Sequence, residues 1–117
     1  FAKALGEHAR GVVVTQVFPS ERSLNSPLIK EAMDLARARG AGELTPAMVE
    51  GFVSAKVLVE GLRRAGPRPD RAQLHAALES LRKFDLGGLE LSYSASDHSG
   101  LDFADLSIIG PDGRFRR

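Results

Sequence analysis

Near its C-terminus the chain reads YSASDHSGLDFAD, so that Asp97, His98, Asp102 and Asp105 bring three carboxylates and one imidazole into nine residues. Groups of these types can hold a metal ion or transfer protons as an acid/base pair. Calcium would call for an Asp-x-Asp-x-Asp spacing with a glycine and a more distant Glu, which Asp97, Asp102 and Asp105 do not supply. Zinc needs three or four ligands, and His98 has no His or Cys near it in the sequence. The spacing alone leaves an acid/base pair open, but nothing marks a pocket or a nucleophile. Ser, Asp and Gly are what a connection between strands requires, because their side chains bond to nearby backbone and Gly100 admits positive φ. The segment therefore reads as a polar loop between two strands, with no metal ligand and no catalytic residue. Asp102 and Asp105 read as exposed strand positions.

The rest of the chain adds no catalytic signal. There is no Gly-x-Ser-x-Gly, no phosphate-binding glycine loop and no His-Glu-x-x-His. DLGGLE and GPDG read as turns, since neither is followed by a helix that would aim its N–H groups at an anion. His75, beside an apolar helical stripe, reads as a half-exposed surface residue. The expectation is a non-enzyme with no cofactor.

The elements that must position these residues come next. With 117 residues, 43% hydrophobic and 26% charged, the chain has the makeup of one folded domain. Sixteen basic against 15 acidic residues leave a net charge of +1, which creates no field for nucleic acid. Arg114, Arg116 and Arg117 form a basic tail that reads as solvated. Without cysteine there are no disulfides or thiolate sites, and no apolar run reaches the ~20 residues of a bilayer span. The first residue is Phe1 and no leader follows, so the chain reads as a processed product or a fragment, which says nothing about export.

FAKALGEHAR could form a short helix interrupted at Gly6. In GVVVTQVFP the run of Val12, Val13, Val14, Thr15 and Val17 is continuously apolar, which predicts a strand covered on both faces. Ser26 and Pro27 predict the start of a helix with Ile29, Met33 and Ala36 on one face, ending at Gly40. Thr45 and Pro46 predict a second, closed by Gly66. Its stripe is Met48, Phe52, Ala55, Val59 and Leu62, widened by Val49, Val53 and Val57. Asp70 with Gln73 is a capping box for a third, with Leu74, Leu78 and Leu81 as its face. GLELSY alternates, placing Leu89, Leu91 and Tyr93 on one side, and FADLSIIG is a further strand ended by PDG. The expected class is α+β in the order β-α-α-α-β-β. A strand and crossover occupy residues 11–18, three helices residues 26–84, and a C-terminal β-hairpin residues 88–117, with the early strand joining the late hairpin.

The order of these segments carries a resemblance. GEHARGVVVTQVFP, TPAMVEGFVSAKVLVEGLRRAG, RAQLHAALESL and YSASDHSGLDFADLSIIGPDGRF together resemble the C-terminal third of the periplasmic solute-binding proteins of branched-chain amino-acid ABC transporters. No one motif is diagnostic; weak signals in the family's order and at about its spacing are much stronger together. The resemblance implies a piece of a two-lobed α/β fold whose lobes are joined by three crossovers around a ligand cleft. The strand at residues 11–18 would leave one lobe, the helices would belong to the other, and the hairpin would return.

The resemblance also implies a function: delivery of a small amino acid or related organic acid to the membrane subunits of an ABC transporter, in the periplasm. The family's contacts to the ligand's carboxylate and ammonium come largely from segments upstream of Phe1. Phe52 matches an aromatic at the start of the EGF helix that lines the cleft in several relatives. Phe18, at a strand end, is a second ligand-binding candidate. His98 matches a polar hairpin residue with no ligand role. Apolar faces exposed in such a fragment predict self-association. The alternative reading is a self-contained protein-interaction module.

Overall fold

The computed structural model describes residues 2–116, and Phe1 and the Arg117 of the basic tail lie outside the described residues. The chain divides into two compact units, one built from residues 1–19 and 103–117 and the other from residues 20–102.

The first unit opens with helix α1 (Ala2–Leu5) and a 3-10 turn (Gly6–Ala9), the short helix expected there. Strand β1 (Val13–Gln16) pairs antiparallel with β5 (Asp105–Ile109), with Val13 opposite Ile108 and Thr15 opposite Leu106. Strand β6 (Phe115–Arg116) flanks β5 on its other edge. The PDG sequence makes the turn between β5 and β6, where the Asp112 carboxylate accepts from the amide of Arg114 and from the guanidinium of Arg116. One face of this sheet buries Ser107 and Ile109. The other leaves Val13 60% and Leu106 61% exposed, together with Val17 and Ile108. The strand expected to be covered on both faces is thus covered on one. Its continuous apolarity is not matched by a second layer among the described residues of its unit.

The second unit contains the helices. Helix α2 (Pro27–Ala38) starts where expected, with the Ser26 hydroxyl accepting from the amide of Ile29. It buries Leu28, Ile29, Ala32 and Ala36. Helix α3 (Pro46–Ala65) is capped by Thr45, whose hydroxyl accepts from the Met48 amide. Its buried stripe is Val49, Val53, Val57 and Gly61, an i, i+4 row. This corrects the expected face: Val59 and Leu62 of the predicted stripe are exposed, and the residues taken to widen it are its centre. Helix α4 (Arg71–Glu79) carries the full capping box, with Asp70 accepting from the Gln73 amide and Gln73 accepting from the Asp70 amide. It packs on α3 and on strand β3.

Strands β2 (Phe84–Asp85), β3 (Glu90–Ser94) and β4 (Asp97–Gly100) form a second antiparallel sheet in that order. The DLGG turn joins β2 to β3, held by the Asp85 carboxylate, which accepts from the amides of Gly87 and Gly88 at 2.8 and 2.7 Å. Leu81, Leu86, Leu89 and Leu91 are buried, as are Leu28, Ile29 and Val49 of the helices. Each such fully buried aliphatic side chain is worth about 1.5–3 kcal/mol.

Two expectations change here. The hairpin does not pair GLELSY with FADLSIIG: β3 pairs with β4 and β2, whereas β5 pairs with β1 and β6. The segment read as a polar loop is a tight turn at Ala95 and Ser96 followed by a strand. The turn forms because the Ser94 hydroxyl accepts from the amides of Ser96 and Asp97, which lets the chain reverse at once. Asp105 lies in β5, but Asp102 falls outside any strand.

Candidate functional site

Phe52 is half-buried in the second turn of α3. The Lys56 ammonium, one turn on, stands 5.5 Å from the centroid of its ring. That ammonium is anchored by the Glu31 carboxylate of α2 at 2.5 Å and by the carbonyl of Leu86 at 3.1 Å. Phe52 therefore sits beside a cation whose position is fixed from two other elements. Phe18 is half-buried just past the end of β1. The two phenylalanines belong to different units.

A second place is built by residues that the sequence separated. His75 and Glu79 stand one turn apart on α4, with His75 Nδ1 3.6 Å from a Glu79 carboxylate oxygen. The other oxygen of Glu79 lies 3.0 Å from Nε2 of His98 on β4. One donor atom from each of the three residues lies within 4.8 Å of the other two.

The hairpin itself aims His98 at the helix. Ser92 pairs with Gly100 and Ser94 with Asp97, so two steps along β3 match three along β4. The extra residue is a bulge, which re-aims the side chains around it. Tyr93 is the residue opposite, and its ring stands edge-on to that of His98, as does the ring of His75. Gly100, at φ +80°, admits this approach: a Cβ there would fall 2.7 Å from Cε1 of Tyr93. Val57, Leu78 and Tyr93 join the three residues around an open cavity of about 250 Å³.

Asp97 plays a local part only. Its carboxylate accepts from the amide of Ser99 at 2.8 Å, and the backbone and hydroxyl bonds of Ser99 hold its pKa below the usual carboxylate value. None of Asp97, Asp102 and Asp105 belongs to the three-residue group. Sequence reasoning weighed His98 against its sequence neighbours and so missed Glu79 and His75. The i, i+4 spacing of His75 and Glu79 was the one local sign.

A family model described as periplasmic binding protein matches residues 1–102. Among solved structures, a substrate-binding periplasmic protein from Ralstonia solanacearum is 37% identical, with a TM-score of 0.82 over 92% of this chain and 31% of its own. A possible leucine/isoleucine/valine-binding protein from Rhodopirellula baltica SH 1 is 30% identical, with a TM-score of 0.86 over 98% of this chain and 32% of its own. A branched chain amino acid ABC transporter protein from Thermus thermophilus, solved with bound valine, is similar in fold, at 21% identity and a TM-score of 0.74 over 95% of this chain and 33% of its own. The chain spans about a third of the length of each. No curated protein matches it.

Proposed function

The chain belongs to the periplasmic binding protein family, and we propose that it is part of an extracytoplasmic solute-binding protein that delivers a small apolar amino acid, or a related organic acid, to an ABC transporter. The observation that carries this reading is the likeness, over 98% of the chain, to a protein named as a possible leucine/isoleucine/valine-binding protein. The α+β chain is a piece of a type 1 periplasmic-binding fold, covering about a third of it. The same relatives support a periplasmic location for the protein, and no catalytic role is proposed.

Within this reading Phe52 offers apolar surface to the ligand's side chain, and the ordered Lys56 beside it keeps its ring in place. Phe18, just past the end of β1 in the other unit, is the second ligand-binding candidate. The exposed apolar face of the first sheet belongs against the remaining length of such a protein. Left uncovered, it drives self-association of the chain.

The test is calorimetric titration of the whole protein with leucine, valine, phenylalanine and benzoate. At least one should bind, and Phe52→Ala should weaken it by about tenfold or more with little change in Tm. Unchanged affinity in the variant removes Phe52 from the site. No binding by any of the four overturns the ligand class.

A further inference from the structure

We propose that His75, Glu79 and His98 form a binding site for a zinc-type divalent metal ion at the junction of α4 and the β3–β4 hairpin. The three residues come from two elements, and the bulge in β4 is what turns His98 toward the helix. Zinc bonds to nitrogen and oxygen are about 2.0–2.2 Å, so tetrahedral ligand atoms stand roughly 3.4 Å apart. His98 Nε2 lies 3.0 Å from one oxygen of Glu79 and His75 Nδ1 3.6 Å from the other, and with one ligand atom taken from each residue all three fall within 4.8 Å of one another. Rotation of the carboxylate and of the two imidazoles, whose side chains are 67% and 60% exposed, brings them to the tetrahedral spacing.

The donor set selects the metal class. Two imidazoles and one carboxylate suit zinc and its neighbours in the transition series, whereas calcium and magnesium prefer all-oxygen shells. Glu79 is the inner ligand, with its side chain 23% exposed, and one nitrogen of each imidazole faces its carboxylate. Three protein ligands leave a fourth position open. It faces a cavity whose other walls are Val57, Leu78 and Tyr93, so water or a small anion completes the shell. A bound ion would fasten the hairpin to the helix. The site lies wholly within the second unit and stands independently of the proposed solute.

The test is zinc titration of the full chain, followed by calorimetry and by the imidazole nitrogen resonances. Saturable binding of one ion below about a millimolar is expected, with the largest shifts at His75 Nδ1 and His98 Nε2. Glu79→Gln and His98→Ala should each weaken binding by about tenfold or more, and zinc should raise Tm in the parent chain but not in them. His98→Gln, which keeps bulk and polarity on the strand, guards against a loss caused by unfolding. His8→Ala should change nothing, because His8 pairs with Glu7 in the other unit. Calcium should produce no shift. Absence of saturable binding, equal response to calcium, or binding that survives both Glu79→Gln and His98→Gln would overturn the proposal.

Discussion

Lys56 holds the carbonyl of Leu86 at 3.1 Å, tying the middle of α3 to the turn between β2 and β3. The same ammonium reaches Glu31 on α2 and the face of Phe52, so one side chain joins three helical and turn segments. Lys56→Met keeps the aliphatic stem and removes all three polar contacts. It should cost about 1 kcal/mol in urea unfolding. Glu31→Gln should cost less, because Glu31 is more than half exposed and water screens the pair. Equal losses would show that the ion pair, not the carbonyl bond, supplies the stability.

The turn that Lys56 grips depends on the absence of a side chain. Gly87 has φ +114°, and a Cβ there would stand 2.7 Å from the backbone nitrogen of Leu28, which donates to the Gly87 carbonyl. Backbone at the start of α2 cannot move aside cheaply, so Gly87→Ala should cost about 3 kcal/mol. Gly88→Ala is the control. Its φ is also positive, but the nearest atom would be Cδ of Pro27 at 3.6 Å, an ordinary contact, and only about 1 kcal/mol of backbone strain is expected. Similar unfolding midpoints for the two variants would contradict this account.

Asp85 gives the same turn a pH dependence. The amides of Gly87 and Gly88 hold its carboxyl below the ordinary value, since they bond to the charged form. The stabilisation is therefore complete above the unfolded carboxyl value, about 3.9, and is lost as pH falls through the depressed folded value. Asp85→Ala should lower Tm at pH 7, and its difference from the parent should shrink steadily below about pH 4. A difference that stays constant into acid would exclude the carboxylate as its source.

The uncovered face of the β1–β5–β6 sheet predicts behaviour at raised concentration. Val13, Val17, Leu106 and Ile108 lie 44–61% exposed, and β1 is an edge strand. The 117-residue chain alone should sediment as a dimer or larger, and Leu106→Lys should shift it toward monomer. A parent chain that is monomeric throughout would remove self-association from the proposal.

The three main helices were legible because their signals are local. Ser26 with Pro27, Thr45 with Pro46, and Asp70 with Gln73 each act within four residues, and each cap forms the bond its residue types predict. The buried stripe of α3 was harder to place, since valines and larger apolar residues occupy two adjacent faces, and packing on α4 chose the valine row. Strand partners were the least legible. Tyr93 and Leu106 are close in sequence, yet their strands enter different sheets, a choice made by contacts with Val13 and Gly100 that no periodicity encodes. The His98–Glu79 pair was hidden for the same reason: 19 residues separate them, and only the packing of the hairpin against α4 brings them together.

Because Val13 pairs with Ile108 while residues 20–102 form a unit by themselves, the two units cannot mature together on a ribosome. The uninterrupted unit has all its partners as soon as Asp102 has emerged. Strand β1 leaves the exit tunnel before β5 and waits, without that partner, for on the order of ten seconds until β5 is synthesised. During that interval Val13, Val14 and Val17 present a sticky nascent edge to every other chain nearby, and shielding by a chaperone matters most there. Order of birth and order of folding are thus reversed for the opening strand.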